Sequence, residues 1–253
     1  MAPKESFEGL VERLNSKAWH RPYHAISERM RNRRGEFFES LLATLPRPIR
    51  LLVIDGPDGP WAQRFPNASD AEIVILNVRP EDSEYAHIEM VLGDARYMPE
   101  FADDEFDLVY ANSVIEHVGG LHDQRNMAEE VRRVGRHHFI QTPNYWFPIE
   151  PHFLAPGFQY WPRRLRAWSI TKWDLGPYGT GTFDMVGAYE CIDEVRLLRR
   201  RELESLFPGS VLWEEKVLGL VKSFVACGGW DSTVVKDAAG RASARLSTRT
   251  AAG

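Results

Sequence analysis

The chain is 253 residues long, carries a formal net charge of −5, and is 43% hydrophobic and 26% charged. That is enough chain for one large domain with a packed core. The acidic balance disfavours a general electrostatic surface for nucleic acid, and two cysteines, Cys191 and Cys227, form no CxxC pair or metal-ligand cluster.

The N-terminal residues lack the apolar core of a signal peptide, and no apolar run approaches the ~20 residues of a membrane span. A soluble cytoplasmic protein is the expectation. Helical spacing runs over 7–19 and 24–45. In the second stretch Ile26, Met30, Phe37, Phe38, Leu41, Leu42 and Leu45 share a broad face, and Pro46 and Pro48 stop it. Five apolar runs of strand length follow, at 49–54, 72–78, 88–93, 106–112 and 137–142, with an amphipathic helix predicted over 123–134. Residues 143–190, rich in Pro, Gly and aromatics, break the pattern and read as an insert facing the substrate. A helix is predicted over 193–207, then a hairpin from runs 211–218 and 220–227, separated by Gly219. The Ala/Ser/Thr/Arg-rich tail 231–253 offers little to bury and is expected to be disordered. The domain reading is therefore an N-terminal helical cap over 1–48, an α/β domain over 49–230, and the tail.

Alternating strands and helices predict a mostly parallel sheet with helices on both faces. Ligands of such sheets bind outside the carboxyl ends of the strands. Four segments fall there: DGPDGPW, NVRPED, GDARYMP and ANSVIEHVG. Their coincidence matters more than any member. Glu116-His117 at a helix start and His152 in FPIEPHF are the candidate proton acceptors, each equally readable as a structural hydrogen-bonded residue. Tyr145, Trp146, Phe147, Phe153 and Trp161 read either as pocket lining or as packing of the insert. Glu150 and His152 lack a third ligand at suitable spacing, so no metal site is assigned.

The stretch GDARYMPEFADDEFDLVYANSVIEHVGG, 93–120, resembles the middle of class I S-adenosylmethionine-dependent methyltransferases of the small-molecule, type 11-like kind. QTPNYWFPIEPHF at 141–153 and the final LVKSFVACGGW resemble one bacterial branch of them. The resemblance spans roughly residues 25–230. It implies a Rossmann-like seven-stranded sheet with the last strand antiparallel. It also implies S-adenosylmethionine as cofactor, S-adenosylhomocysteine as product and a small-molecule acceptor, a sugar or specialised metabolite, with no nucleic acid or membrane partner. Asp55, Gly56 and Gly59 would face the methionine half of the cofactor, and Asn77 the ribose. Asp94 and Ala95 would lie by the adenine, Asn112 and Ser113 near the reacting methyl. Glu116 and His117 would border the substrate, with His117 or His152 as the base.

The glycine-rich turn departs from the family pattern. Aligned on Gly59 and Trp61, it has Val53 at the acidic position, Asp55 at the first glycine and Pro57 at the second. Proline cannot take the positive φ that glycine supplies. Asn77 lacks the charged, two-oxygen acceptor of a carboxylate. Two readings follow: a methyltransferase with an altered loop, or a homologue that keeps the fold without methyl transfer, as a ligand- or partner-binding protein or another enzyme. Oligomeric state and acceptor are left open.

Overall fold

The computed structural model describes residues 17–67, 69–79, 82–175 and 183–251, without the side chains of 17–26 and 245–251. Most of the first predicted helix, 7–19, lies outside them. The elements in chain order are α1 (Lys17–Leu42), β1 (Ile49–Ile54), α2 (Gly59–Arg64), β2 (Ala71–Asn77), β3 (Ile88–Leu92), β4 (Phe106–Asn112), α3 (Leu121–Val134) and β5 (Gly135–Pro143). Then come a 3-10 turn (Phe158–Tyr160), α4 (Arg163–Ile170), α5 (Met185–Asp193), α6 (Arg200–Leu206), β6 (Val211–Val217), β7 (Leu220–Gly228) and α7 (Ser232–Ala251).

The chain divides into two units. The larger takes in Arg33–Asn144 and residues from Arg196 onward; the smaller takes in Tyr145–Val195 and the described residues up to Asn32.

The larger unit is built on a seven-stranded sheet of order β3-β2-β1-β4-β5-β7-β6. The first five strands in that order are parallel, and β7 runs antiparallel to both β5 and β6. Side chains alternate across a strand, and the apolar runs divide accordingly. Leu51, Val53, Ile73, Ile75, Leu108 and Phe139 join one core, with Phe37, Phe38 and Leu41 of α1 and Trp61 of α2. Leu52, Ile54, Val74, Leu76, Val109 and Ile140 join the other, with Met127 and Val131 of α3 and Leu203 of α6. Both faces being covered explains why the strands read as continuous apolar stretches.

Several boundaries differ from the sequence reading. The stretch expected to be disordered is helical from Ser232 to Ala251, as α7, and its Val235, Ala238 and Ala242 are buried in the first core. Of the predicted helix 193–207, Asp193 ends α5 and Arg200–Leu206 forms α6, and in the non-helical link between them Leu198 bridges to Asn144. Within the N-terminal stretch 1–48, α1 from Arg33 onward belongs to the larger unit. β5 also extends through Pro143, so the second unit begins at Tyr145 and ends at Val195 instead of spanning 143–190.

The smaller unit has its own core of Phe153, Ala155, Phe158, Ala167, Ile170, Leu175, Ala188, Cys191 and Ile192. Phe153 and Phe158 stack with centroids 4.2 Å apart. Helices α4 and α5 supply most of the rest.

Candidate functional site

The carboxyl ends of β1 to β4 gather most of the residues singled out above. Strand β1 ends at Ile54, and the Asp55 N–H still donates to the Leu76 carbonyl at 3.0 Å. Asp55 then takes φ 59° and Gly56 φ 139°. Asp is among the few residues that enter the left-handed region readily, and only glycine suits the second value. Asp58 and Gly59 follow, with Pro60 in the first turn of α2, where its missing N–H costs nothing. The loop is not a ruined helix start, and a Cβ placed on Gly56 or Gly59 would meet nothing within 4 Å. Both glycines face open space.

Val53, aligned above with the family's acidic position, lies inside the sheet. Val53 pairs with Ile75 and Tyr110 inside the sheet and is 1% exposed. A carboxylate there would sit in the core. The acidic residue at the end of the strand is Asp55.

Asn77 is buried at the end of β2, and its amide closes on the loop. The Gly56 N–H donates to Asn77 Oδ1 at 3.2 Å, and Asn77 Nδ2 donates to the Gly56 carbonyl at 3.4 Å. The Gly93 N–H donates to the Asn77 carbonyl at 3.0 Å, tying the end of β3 to that of β2. Val78 and Leu92, at the same ends, are exposed apolar side chains.

After β3, Asp94 receives the Arg96 guanidinium on both oxygens at 2.6–3.0 Å, and also the Arg96 N–H at 2.9 Å. Those bonds hold its carboxyl below the usual carboxylate range and raise Arg96 in turn. Arg96 also donates to the Val118 carbonyl at 3.3 Å. The acceptor oxygens expected to face a purine are thus engaged by a neighbour two residues away. Ala95 is 6% exposed and packs in the second core.

At the end of β4, the Asn112 Oδ1 is buried without a hydrogen-bond partner among the described residues. Ser113 takes φ 57° and is held by Gln141, which accepts from both its hydroxyl (2.9 Å) and its N–H (3.1 Å). Glu116 is fully buried and accepts from the Thr142 hydroxyl at 2.9 Å, while its carbonyl accepts from the Arg196 N–H at 2.8 Å. These bonds anchor Glu116 within this unit. The His117 N–H closes a turn on the Val114 carbonyl, and its ring is partly exposed.

His152 belongs to the smaller unit. Its Nδ1 bonds Glu150 Oε1, and Glu150 Oε2 accepts from the His152 and Phe153 N–H groups at 2.9 and 2.8 Å. Glu150 is 2% exposed. A carboxylate so held fixes the Nδ1–H tautomer and leaves Nε2 the basic nitrogen.

Sequence reasoning missed the residues that secure the loops. Ser83 donates to Asp58 at 2.6 Å, Gln141 holds Ser113, and Gln124 donates to the Ile115 and Arg196 carbonyls at 2.9 Å each. Nothing in their local pattern marks them. Only the buried position of Gln124 on α3, facing its apolar side, was a usable signal.

Residues 62–138 match a family model described as a methyltransferase domain. That match covers β2 to β4, α3 and the start of β5. The chain is also similar to two solved structures. One is a SAM-dependent methyltransferase from Methanosarcina mazei: 13% identity over 72% of this chain and 92% of that one, TM-score 0.45. The other is 1,6-didemethyltoxoflavin-N1-methyltransferase from Burkholderia thailandensis, solved with 1,6-didemethyltoxoflavin and S-adenosylhomocysteine: 13% identity over 90% of this chain and 91% of that one, TM-score 0.47. No curated protein matches the sequence. Among the described residues, no helix is long and apolar enough to cross a membrane.

Proposed function

We propose that the chain transfers a methyl group from S-adenosylmethionine to a small-molecule acceptor, a sugar derivative or specialised metabolite, leaving S-adenosylhomocysteine. One observation carries this reading: the edge where β1 to β4 end. It offers open backbone at Gly56 and Gly59, a buried acceptor oxygen on Asn112 and exposed apolar surface at Val78 and Leu92. These fit an adenosyl ligand, which needs apolar walls for its base and polar groups at its edges. Asn77, Asp94 and Ala95 would hold its nucleoside half, and Asp55, Gly56, Gly59, Asn112 and Ser113 its amino-acid half. When bound, the sulfonium supplies an electrophilic methyl carbon.

The chain's own part is to align the acceptor and take its proton. His117 or His152 would take the proton; in His152, Glu150 holds Nδ1. His152→Ala should lower turnover about a hundredfold, the usual scale for a lost general base, with S-adenosylhomocysteine affinity kept. A loss confined to His117→Ala moves the role there.

A second reading, a homologue that keeps the fold without methyl transfer, draws on two observations: Asn77 closed on Gly56 and Asp94 engaged by Arg96. Calorimetry of the full chain separates the two. Saturable binding of S-adenosylmethionine and S-adenosylhomocysteine is expected. No heat and no thermal shift at millimolar ligand removes the first reading and leaves the second.

A further inference from the structure

Arg96 ties together the loops that follow β3 and β4. Its Nε and Nη2 donate to the two oxygens of Asp94 at 2.6–3.0 Å. Its Nη1 donates to the Val118 carbonyl at 3.3 Å and lies 3.6 Å from Asp123 Oδ1. Asp123 stands in the first turn of α3, where its Oδ2 accepts from the Gly120 N–H at 2.9 Å. A Cβ on Gly119, at φ 112°, would lie 2.6 Å from that same oxygen, so the turn is shaped around the carboxylate.

One guanidinium thus stands between two carboxylates of the larger unit. It is forked on the first and close to the second. All three side chains are partly exposed, so the guanidinium can turn without opening a core. Exposed ion pairs are worth little, and a forked one somewhat more. Passing Arg96 from Asp94 to Asp123 exchanges one carboxylate for another, which keeps the cost small. Two arrangements so close in energy can be biased by a ligand that favours one of them.

Asp94 is the group that the adenosyl reading sets beside the purine. A carboxylate only accepts hydrogen bonds and a guanidinium only donates them. A purine amine is a further N–H donor, and it competes with Arg96 for the same two oxygens.

We propose that Arg96 is a latch on the nucleoside half of the site and a determinant of its specificity. It covers Asp94 in the free protein and passes to Asp123 when a purine amine takes its place. A ligand without that amine leaves the latch closed. The inference rests on the methyl-transfer reading in taking the ligand as adenosyl.

The test is calorimetry of the full chain with S-adenosylhomocysteine and its 6-deamino analogue, in which hydrogen replaces the purine amine. Arg96→Gln should bind S-adenosylhomocysteine about three- to tenfold more tightly than the wild type, the scale of a well-aligned exposed pair. Its affinity for the deamino analogue should not change. Asp123→Asn keeps an acceptor for the Gly120 N–H but removes the charge that receives Arg96. It should weaken S-adenosylhomocysteine binding about two- to threefold, and have no effect once Arg96 is Gln. Unchanged or weaker S-adenosylhomocysteine binding by Arg96→Gln overturns the proposal. So does equal tightening of both ligands, or an Asp123→Asn effect that is absent in the wild type or persists without Arg96. Should neither the wild type nor Arg96→Gln bind S-adenosylhomocysteine at millimolar concentration, the methyl-transfer reading falls and the latch with it. Equal affinity in the two removes the latch alone.

Discussion

His138 and Gly228 face each other across the β5–β7 pair, and each explains the other. A Cβ on Gly228 would lie 2.0 Å from the His138 ring, so the ring occupies the space a side chain would need. Gly228→Ala should destabilise the protein by about 1–3 kcal/mol, as overpacking does, measured by urea unfolding. Burial pushes the His138 imidazole down to about 4, helped by the charges of Arg132 and His137, while its Nε2 stays paired with the Ser210 hydroxyl at 2.8 Å. With the folded value below the unfolded 6.5, the unfolded chain binds more protons between the two. Stability is then complete above about pH 6.5 and falls as pH drops toward 4, by about 3 kcal/mol at most. His138→Gln should flatten the pH dependence of the urea midpoint in that window; an unchanged slope would contradict it.

Helix α7 shows where sequence reading failed at the level of elements. Its buried face is made by Val235, Ala238 and Ala242, spaced three and four apart. Two of the three are alanines, so the stripe carried little hydrophobic contrast and read as a polar tail. The predicted helix 193–207 failed for the opposite reason. Leu197 and Leu198 continue a helical face in sequence, yet both are buried in the non-helical link, where Leu198 bridges Asn144. The strands were legible because each is buried on both faces, which leaves an unbroken apolar run. Ending the chain at Asp231 should strip α7 from the core and cost about 3 kcal/mol, from one valine and two alanines re-exposed. A truncated chain with an unchanged melting temperature would show that α7 contributes no packing.

For the molecule as a whole, two units, each with its own core, imply two sets of protected amides. Ile170→Ala, a cavity in the smaller unit's core, should speed hydrogen exchange within 145–195 while β1, β4 and β5 keep their protection. Uniform acceleration would mean the units unfold as one. The gathering of distant residues at the strand ends was legible, since it follows from parallel topology. What those residues bond to was not: the fork of Arg96 on Asp94 and the Ser83 hydroxyl on Asp58 depend on loop conformations that no periodicity encodes. The pairing of Asn77 with Gly56 has a consequence for the lineage. An aspartate at 77 could still accept the Gly56 N–H, but it would turn an anionic oxygen toward the Gly56 carbonyl where the amide now donates. Replacing either partner alone therefore passes through a less stable ancestor, so the turn and the residue opposite it are expected to drift only in tandem.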